Sequence, residues 1–284
     1  MKFIQGYEMG SFSESYLGRW HKRSGPEEHN QLFVIGDVHG QAQALAAVLD
    51  SIAAIPRAAN RRRLVFLGDL IDRGPHSLNA IKLAMTAADR TGADDLVLLP
   101  GNHELMLLDA LEHPMKFMGD WLDNGGETLI AEARQTTPIR LLKDFANIAR
   151  RIISPDFLAA MQDAPSHVLS GNLLLVHAGL APSEDAKAFL RVSGRAAYGS
   201  HWAWIRRPFL DWRGGWGPDA DWQVVHGHTP AVTRPSAPDR FFAAANRLRT
   251  HQRLCLDAGS AFGLAQVGWA EFTAERFRLA LSRG

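Results

Sequence analysis

The sequence predicts an α/β protein with a parallel sheet at its core, a helical insertion, and a second, mixed sheet after it. Three observations carry this expectation. Six short apolar runs rich in β-formers, QLFVIGD, RLVFLGD, DLVLLPGN, NLLLVHAG, WQVVHGH and RLCLDAG, each lead into Gly and a polar or ionisable residue, as buried strands do when they deliver side chains at their carboxyl ends. Between the first three runs, residues 41–54 and 76–90 carry Ala, Leu and Ile at helical spacing, which gives β-α-β-α-β and hence parallel pairing. Residues 104–163 hold no strand-like run but several amphipathic stretches, among them HELMLLDALEHPMKFM and PIRLLKDFANIARRIISPDFLAAM, so a helical insertion is expected there as one wall of a site. From residue 166 the pattern turns to β, and Gly171-Asn172 between two apolar runs suits a tight hairpin. The first 29 residues and the Pro, Ala and Arg-rich 230–252 match no periodic template and are expected at the periphery.

Composition narrows the function. With 284 residues, 46% hydrophobic and 21% charged, the chain has apolar material for a substantial core and enough charge to stay dissolved. The 31 basic residues against 30 acidic ones leave a formal charge of +1, so no global field gathers nucleic acid or an anionic membrane, and any anion is captured locally. Cys255 is the only cysteine, which excludes an internal disulfide and fits a reducing compartment. The opening MKFIQGYEMGSF lacks the apolar stretch of a signal peptide, and no run approaches the roughly 18 apolar residues of a membrane span, so a cytoplasmic enzyme is expected. Motifs spread from 36 to 229 imply one catalytic domain over 30–284, preceded by an N-terminal extension, 1–29.

The chemistry lies at the strand ends: GDVHG at 36–40, GDLIDRG at 68–74, GNHE at 101–104, HAG at 177–179 and HGHT at 226–229. Asp37 and His39, two apart where the chain leaves a strand, can turn the same way and hold one metal. Asp69 ends the next strand, and a carboxylate with two oxygens can bridge two cations about 3.5–4 Å apart. Asn102 offers an amide oxygen while His177 and His228 offer imidazole nitrogens, a mixed O/N set that suits a second cation such as Mn, Fe or Zn better than Ca or Mg. No Ser follows a nucleophile-elbow pattern and Cys255 sits in an apolar strand, which leaves a metal-held hydroxide as nucleophile. Taken singly each motif has a structural explanation; Asn102 with Glu104, for example, suits an ordinary helix start. Their conjunction, in order and with complementary donors, points to a two-metal site.

At these residues the sequence resembles the PPP-type metallophosphatases, the phosphoprotein phosphatase branch of the calcineurin-like phosphoesterases. GDVHGQ, GDLIDRGP, GNHE, HAG and HGHTP follow that family's motif order, WLDNGGETL at 121–129 and WIRRPFL at 204–210 extend the likeness over about 30–270, and the shorter bacterial members are most similar. The resemblance implies a β-sandwich of two mixed sheets flanked by helices. It implies a first metal on Asp37, His39 and Asp69 and a second on Asp69, Asn102, His177 and His228, with His226 behind the ligands. It also implies that His103 is the general acid, oriented and held charged by Asp72, and that Arg73 and Arg206 clamp the phosphoryl oxygens. In-line attack on phosphorus by hydroxide bridging two divalent metals, Mn above Fe or Zn, would follow.

The expected substrates are phosphorylated proteins or peptides, or small phosphoesters, with serine/threonine phosphatase activity the leading reading. Symmetrical dinucleoside tetraphosphatases share the metal motifs but usually show GNHD and FGHW where this chain has GNHE and HGHT. A non-catalytic phosphate-binding module is the alternative of another class, opposed by the complete ligand set and His103. Five of the eight tryptophans fall within 202–222 among Arg206, Arg207 and Arg213, a cluster that suits either gripping a leaving group or packing Gly-rich loops onto the sheets. A single-stranded nucleic-acid site is disfavoured by the near-zero net charge.

Overall fold

The computed structural model describes residues 2–8, 11–22, 30–133, 141–182, 185–193 and 199–284. Residues 23–29 of the expected N-terminal extension and 134–140 of the expected insertion therefore lie outside the described residues. The chain begins with three strands, β1 (Lys2–Glu8), β2 (Ser11–Leu17) and β3 (His21–Lys22). The β-α-β-α-β unit follows as β4 (Asn30–Ile35), α1 (Ala42–Ala54), β5 (Arg61–Phe66), α2 (Ser77–Met85), α3 (Ala87–Thr91) and β6 (Asp95–Leu98). Helices α4 (Asn102–Glu112), α5 (Pro114–Trp121), α6 (Glu127–Ala131), α7 (Leu142–Ile152) and α8 (Pro155–Gln162) form the insertion, with a π turn, Leu122–Gly126, between α5 and α6. The chain then returns to strands, β7 (His167–Ser170) and β8 (Leu173–Val176), passes through α9 (Ala186–Leu190), and continues with β9 (Gln223–His226), α10 (Pro238–Ala245), β10 (Asn246–Arg247), β11 (Arg253–Cys255), β12 (Gln266–Phe272) and β13 (Arg276–Arg283).

Two mixed sheets result. One runs β1-β2-β13-β12-β4-β5-β6 with β3 on the side of β13, its last three strands parallel; the other runs β10-β11-β9-β8-β7, with β11, β9 and β8 parallel. Strand periodicity decides which faces meet. Leu32 and Val34 of β4 and Val65 of β5 point inward and join Leu173, Leu175, Val225 and Leu254 of the second sheet in one core, while Phe33, Ile35, Leu64 and Phe66 pack under the helices. On α1, Leu45, Val48, Leu49 and Ile52 recur at helical spacing and are fully buried, which presses the helix onto the first sheet. The alternate residues of β8 and β9, Leu174, Val176 and Val224, face a third cluster built with Trp202, Phe209, Trp216 and Trp222.

Two peripheral expectations change. Residues 11–22 supply two strands of the larger sheet, β2 between β1 and β13 and β3 beside β13, with the Ser15 and Ser282 hydroxyls bonded at 2.6 Å. Within 230–252, α10 is structural: its Phe241 is fully buried in the core between the sheets. No helix among the described residues is long and apolar enough to cross a membrane.

Candidate metal centre

The carboxyl ends of β4, β5 and β6 in one sheet and of β8, β9 and β11 in the other converge, and the loops after them carry the predicted residues. Tight turns bring them together at a backbone cost. Seven non-glycine residues among those described have positive φ, and five of them, His39, Asp69, Asp72, Arg73 and His228, are predicted site residues. The turns brace one another: the N–H groups of Val38 and His39 both donate to Asp69 O at 2.9 Å. Gly227 permits a close approach, because a Cβ there would stand 1.9 Å from Asp37 Oδ1.

Each imidazole has one nitrogen pinned by backbone and the other presented inward. His39 Nδ1–H donates to Ile71 O (3.1 Å), His177 Nδ1–H to Leu67 O (2.8 Å) and His228 Nε2–H to Trp204 O (3.1 Å). The inward atoms are acceptors. His39 Nε2 and His177 Nε2 each lie 3.4 Å from Asp69 Oδ2, while Asn102 Oδ1 is 3.1 Å from His177 Nε2 and 2.8 Å from His228 Nδ1. Donor atoms facing one another at such distances are the arrangement a cation completes in place of shared protons. Donor atoms of His39, Asp69 and His103, and of Asp69, His177 and His228, each gather within 4.8 Å of one another, so Asp69 belongs to both groups, as a bridging carboxylate must. Asp37 stands beside them with both oxygens on the His228 N–H (3.0 and 3.2 Å) and is not among the donors that converge within that distance. His226 turns away: its Nδ1–H donates to Gly227 O and its Nε2 accepts from Arg253.

The electrostatics ask for positive charge. Burial, then the neighbouring Asp257 and Asp69, push the Asp37 carboxyl well above its usual range, and burial also raises Asp257. Against its own burial, Asp69 is held well below the ordinary value by His177 and His103, and reciprocally Asp69 raises His39 and His177 although burial opposes it. Buried acids that burden one another, an Asp72 Oδ1 with no partner, and a mixed O/N donor set fit two divalent cations.

Around the donors lies a supporting layer. His103 Nδ1 meets Asp72 Oδ2 at 2.9 Å, and the same oxygen accepts from Trp121 Nε1 at 2.8 Å. Burial pushes the His103 imidazole down to about 3 and Asp72 up to about 8, so on the protein's own groups the expected charged imidazole is disfavoured. Arg73 N–H and Nε–H donate to Gly125 O (3.1 Å) and Asn124 O (3.2 Å), and Arg206 Nη1 donates to Thr229 Oγ1 (3.0 Å). Both arginines are exposed and near the cluster: Arg73 lowers His103, and Arg206 lowers His228.

Sequence reasoning left four contributors without a role. Glu104 reads as a helix-start residue, yet its buried carboxylate accepts N–H bonds from Asp69, Leu70 and Gly101, all at 2.8 Å, and so shapes the bridging loop. Trp121 and Thr229 lie inside motifs whose order, not function, carried the resemblance. Asp257 had a usable signal: it follows the last of the six strand runs, like every predicted ligand, and is 1% exposed. In the tryptophan cluster, Trp202, Trp216 and Trp222 are at most 8% exposed and serve packing, while Trp212 stands out at 46%.

Two mixed sheets that aim acids, an amide and imidazoles at one edge define a metallophosphoesterase. The chain belongs to the calcineurin-like phosphoesterase family, whose sequence model matches residues 31–251. It is similar to the asymmetrical bis(5'-nucleosyl)-tetraphosphatase PrpE of Bacillus subtilis strain 168, 29% identical over 251 residues that cover 83% of this chain and 88% of that one. A symmetrical bis(5'-nucleosyl)-tetraphosphatase of Paracidovorax citrulli strain AAC00-1 is 32% identical over 160 residues, 56% of this chain and 48% of that one. Among solved structures, a point mutant of a cold-active protein tyrosine phosphatase superposes with a TM-score of 0.51 at 16% identity, covering 89% of this chain and 80% of that one, which supports the fold alone.

Proposed function

We propose that this chain hydrolyses a phosphoanhydride of a dinucleoside tetraphosphate, in preference to the serine/threonine phosphoprotein suggested by GNHE. The observation that carries this reading is the position of Glu104. Its carboxylate is fully buried on three backbone N–H groups, so it does not face a substrate, and the Glu in GNHE loses its weight as a mark of phosphoprotein specificity. Of the two motifs set against the reading only HGHT is then left, against similarity across most of the chain to relatives named as tetraphosphatases.

Asp37, His39 and Asp69 would hold one divalent cation, and Asp69, Asn102, His177 and His228 a second; when bound, the pair supplies water activated near neutral pH and neutralises phosphate charge. The protein's own groups do the rest. Arg73 and Arg206 grip the phosphoryl oxygens, where planar guanidinium groups match the anion and stabilise its spreading charge. His103, its Nδ1 committed to Asp72, keeps Nε2 for a proton passed to the departing oxygen as one P–O bond to water forms and one bridging P–O bond breaks. Asp72, fixed by Trp121, sets the orientation of that imidazole.

Metal-loaded protein assayed in parallel on diadenosine tetraphosphate, a phosphoserine peptide and a phosphodiester tests the reading. Turnover of the tetraphosphate to ATP and AMP is the expected result. Faster release of phosphate from the peptide would overturn it in favour of a protein phosphatase, and silence on all three would leave a phosphate-binding module.

A further inference from the structure

One of the two clamp arginines borders a groove. On the Arg73 side a cavity of about 600 Å³ opens against the catalytic loop, lined by Arg73, Gly74, Pro75, His76, Thr128 and Glu132. Along the tryptophan-rich loop, a cavity between Leu180 and Pro218 measures only about 190 Å³, below the range of small-molecule sites, and Arg206 does not line it. A third cavity, of about 490 Å³, lies between β2, β13 and α10 and shares no lining residue with the centre.

The groove on the Arg73 side changes character along its length. At its mouth the Arg73 guanidinium and the His76 imidazole are exposed. At its other end Glu132 is half-buried, with Oε1 accepting from Ser77 N–H (2.5 Å) and Oε2 from Leu78 N–H (3.2 Å). Those bonds close the first N–H groups of α2, so the helix start does not attract an anion, yet Oε2 accepts from Leu78 alone and keeps a lone pair for an outside hydroxyl. A cation at the entrance followed by an acceptor-only carboxylate repels a second anionic group and accommodates one that is phosphate at one end and hydroxyl-bearing at the other.

The geometry points to this groove as a nucleoside subsite: the phosphate chain crosses Arg73, and a ribose-bearing half of the substrate lies between His76 and Glu132. The inference deepens, and rests on, the tetraphosphatase reading.

Ala131, exposed on the rim, and His76 lie outside the catalytic machinery, so full-length Ala131→Trp and His76→Ala test the subsite without disturbing it. KM for diadenosine tetraphosphate and the inhibition constant of AMP should each rise about tenfold in Ala131→Trp, and in the same direction in His76→Ala. Hydrolysis of p-nitrophenyl phosphate and inhibition by inorganic phosphate should stay as in wild type. Unchanged AMP inhibition in a folded Ala131→Trp, judged by an unaltered melting curve, overturns the subsite; should Ala131→Trp melt early, the His76→Ala constants decide alone. If wild type prefers the phosphopeptide, the functional reading fails by itself. The subsite then stands or falls on whether AMP binds more tightly than inorganic phosphate and loses that advantage in Ala131→Trp.

Discussion

Replacing Glu104 by Gln keeps the size of a buried side chain and removes half of its accepting capacity. The carboxylate serves Leu70 N–H through Oε1 and both Asp69 and Gly101 N–H through Oε2. Burial and the nearby Asp69 raise the Glu104 pKa while the Gly101 and Asp69 N–H groups lower it, and a ring of donors with no acceptor has no place for an added proton. An amide can satisfy at most one side. With its oxygen toward Asp69 and Gly101, its NH₂ faces Leu70 N–H, so a bond to a charged group worth about 2 kcal/mol is lost and an orphaned buried N–H costs about 2 kcal/mol more. A loss of about 4 kcal/mol in a chain of 284 residues lowers the melting temperature by about 7 °C. Because the N–H groups belong to the loop that aims Asp69, bound metal measured by atomic emission should fall with it. Glu104→Asp retains the charge but shortens the reach by one methylene, and it should also melt early. Its ratio of tetraphosphate to p-nitrophenyl phosphate turnover should match wild type. A normal melting curve with an altered substrate ratio would refute the reasoning, because residue 104 would then be reading substrate and not holding a loop.

Asp69→Asn should lose both metal and turnover. His103→Asn should keep metal, and it should slow an alkyl phosphate more than an anhydride, whose departing phosphate needs a proton less; equal kcat values for wild type and both variants would end the assignment. A Cβ at Gly125, where φ is +114°, would meet Arg73 Cγ at 2.6 Å, so Gly125→Ala should raise KM and weaken inhibition by inorganic phosphate while bound metal is unchanged. Burial pushes His226 down to about 3, so below the ordinary histidine value of 6.5 the unfolded chain takes up a proton that the folded one refuses. Its share of stability is complete above 6.5 and is lost as pH falls toward 3, at up to about 1.4 kcal/mol per pH unit. In chelator, urea midpoints of His226→Gln should therefore decline less steeply than those of wild type between pH 7 and 5, and parallel curves would count against this origin.

What could be read from the chain alone follows from how local each cause is. A candidate ligand at the end of a parallel strand announces itself within a few residues, because the apolar run, the glycine and the donor are contiguous; Asp69, His177 and His228, which the fold gathers, are legible for that reason, while Asp37 is equally legible but stands beside the converging donors. The supporting groups act across the fold, where no spacing speaks for them. Glu104 reaches a loop 34 residues away, Trp121 an aspartate 49 residues away, and the Ser15–Ser282 contact spans 267. β2 and β3 were illegible for the same reason, since both join the sheet through β13, at the far end of the chain. Burial separates residue types that look alike in sequence: it makes Trp202, Trp216 and Trp222 packing, and leaves Trp212 exposed. The same division bears on function. The strand-end residues define a chemistry common to phosphate hydrolysis in general, whereas the choice among phosphates falls to what borders Arg73 and Arg206. The 121–132 segment takes part in both, since Trp121, Asn124 and Gly125 bond to Asp72 and Arg73 while Thr128 and Glu132 line the groove alongside. A change there should therefore alter which substrate is held and how well its phosphate is gripped together, which is why side chains on the groove rim, not the ligands, are the place to separate the two.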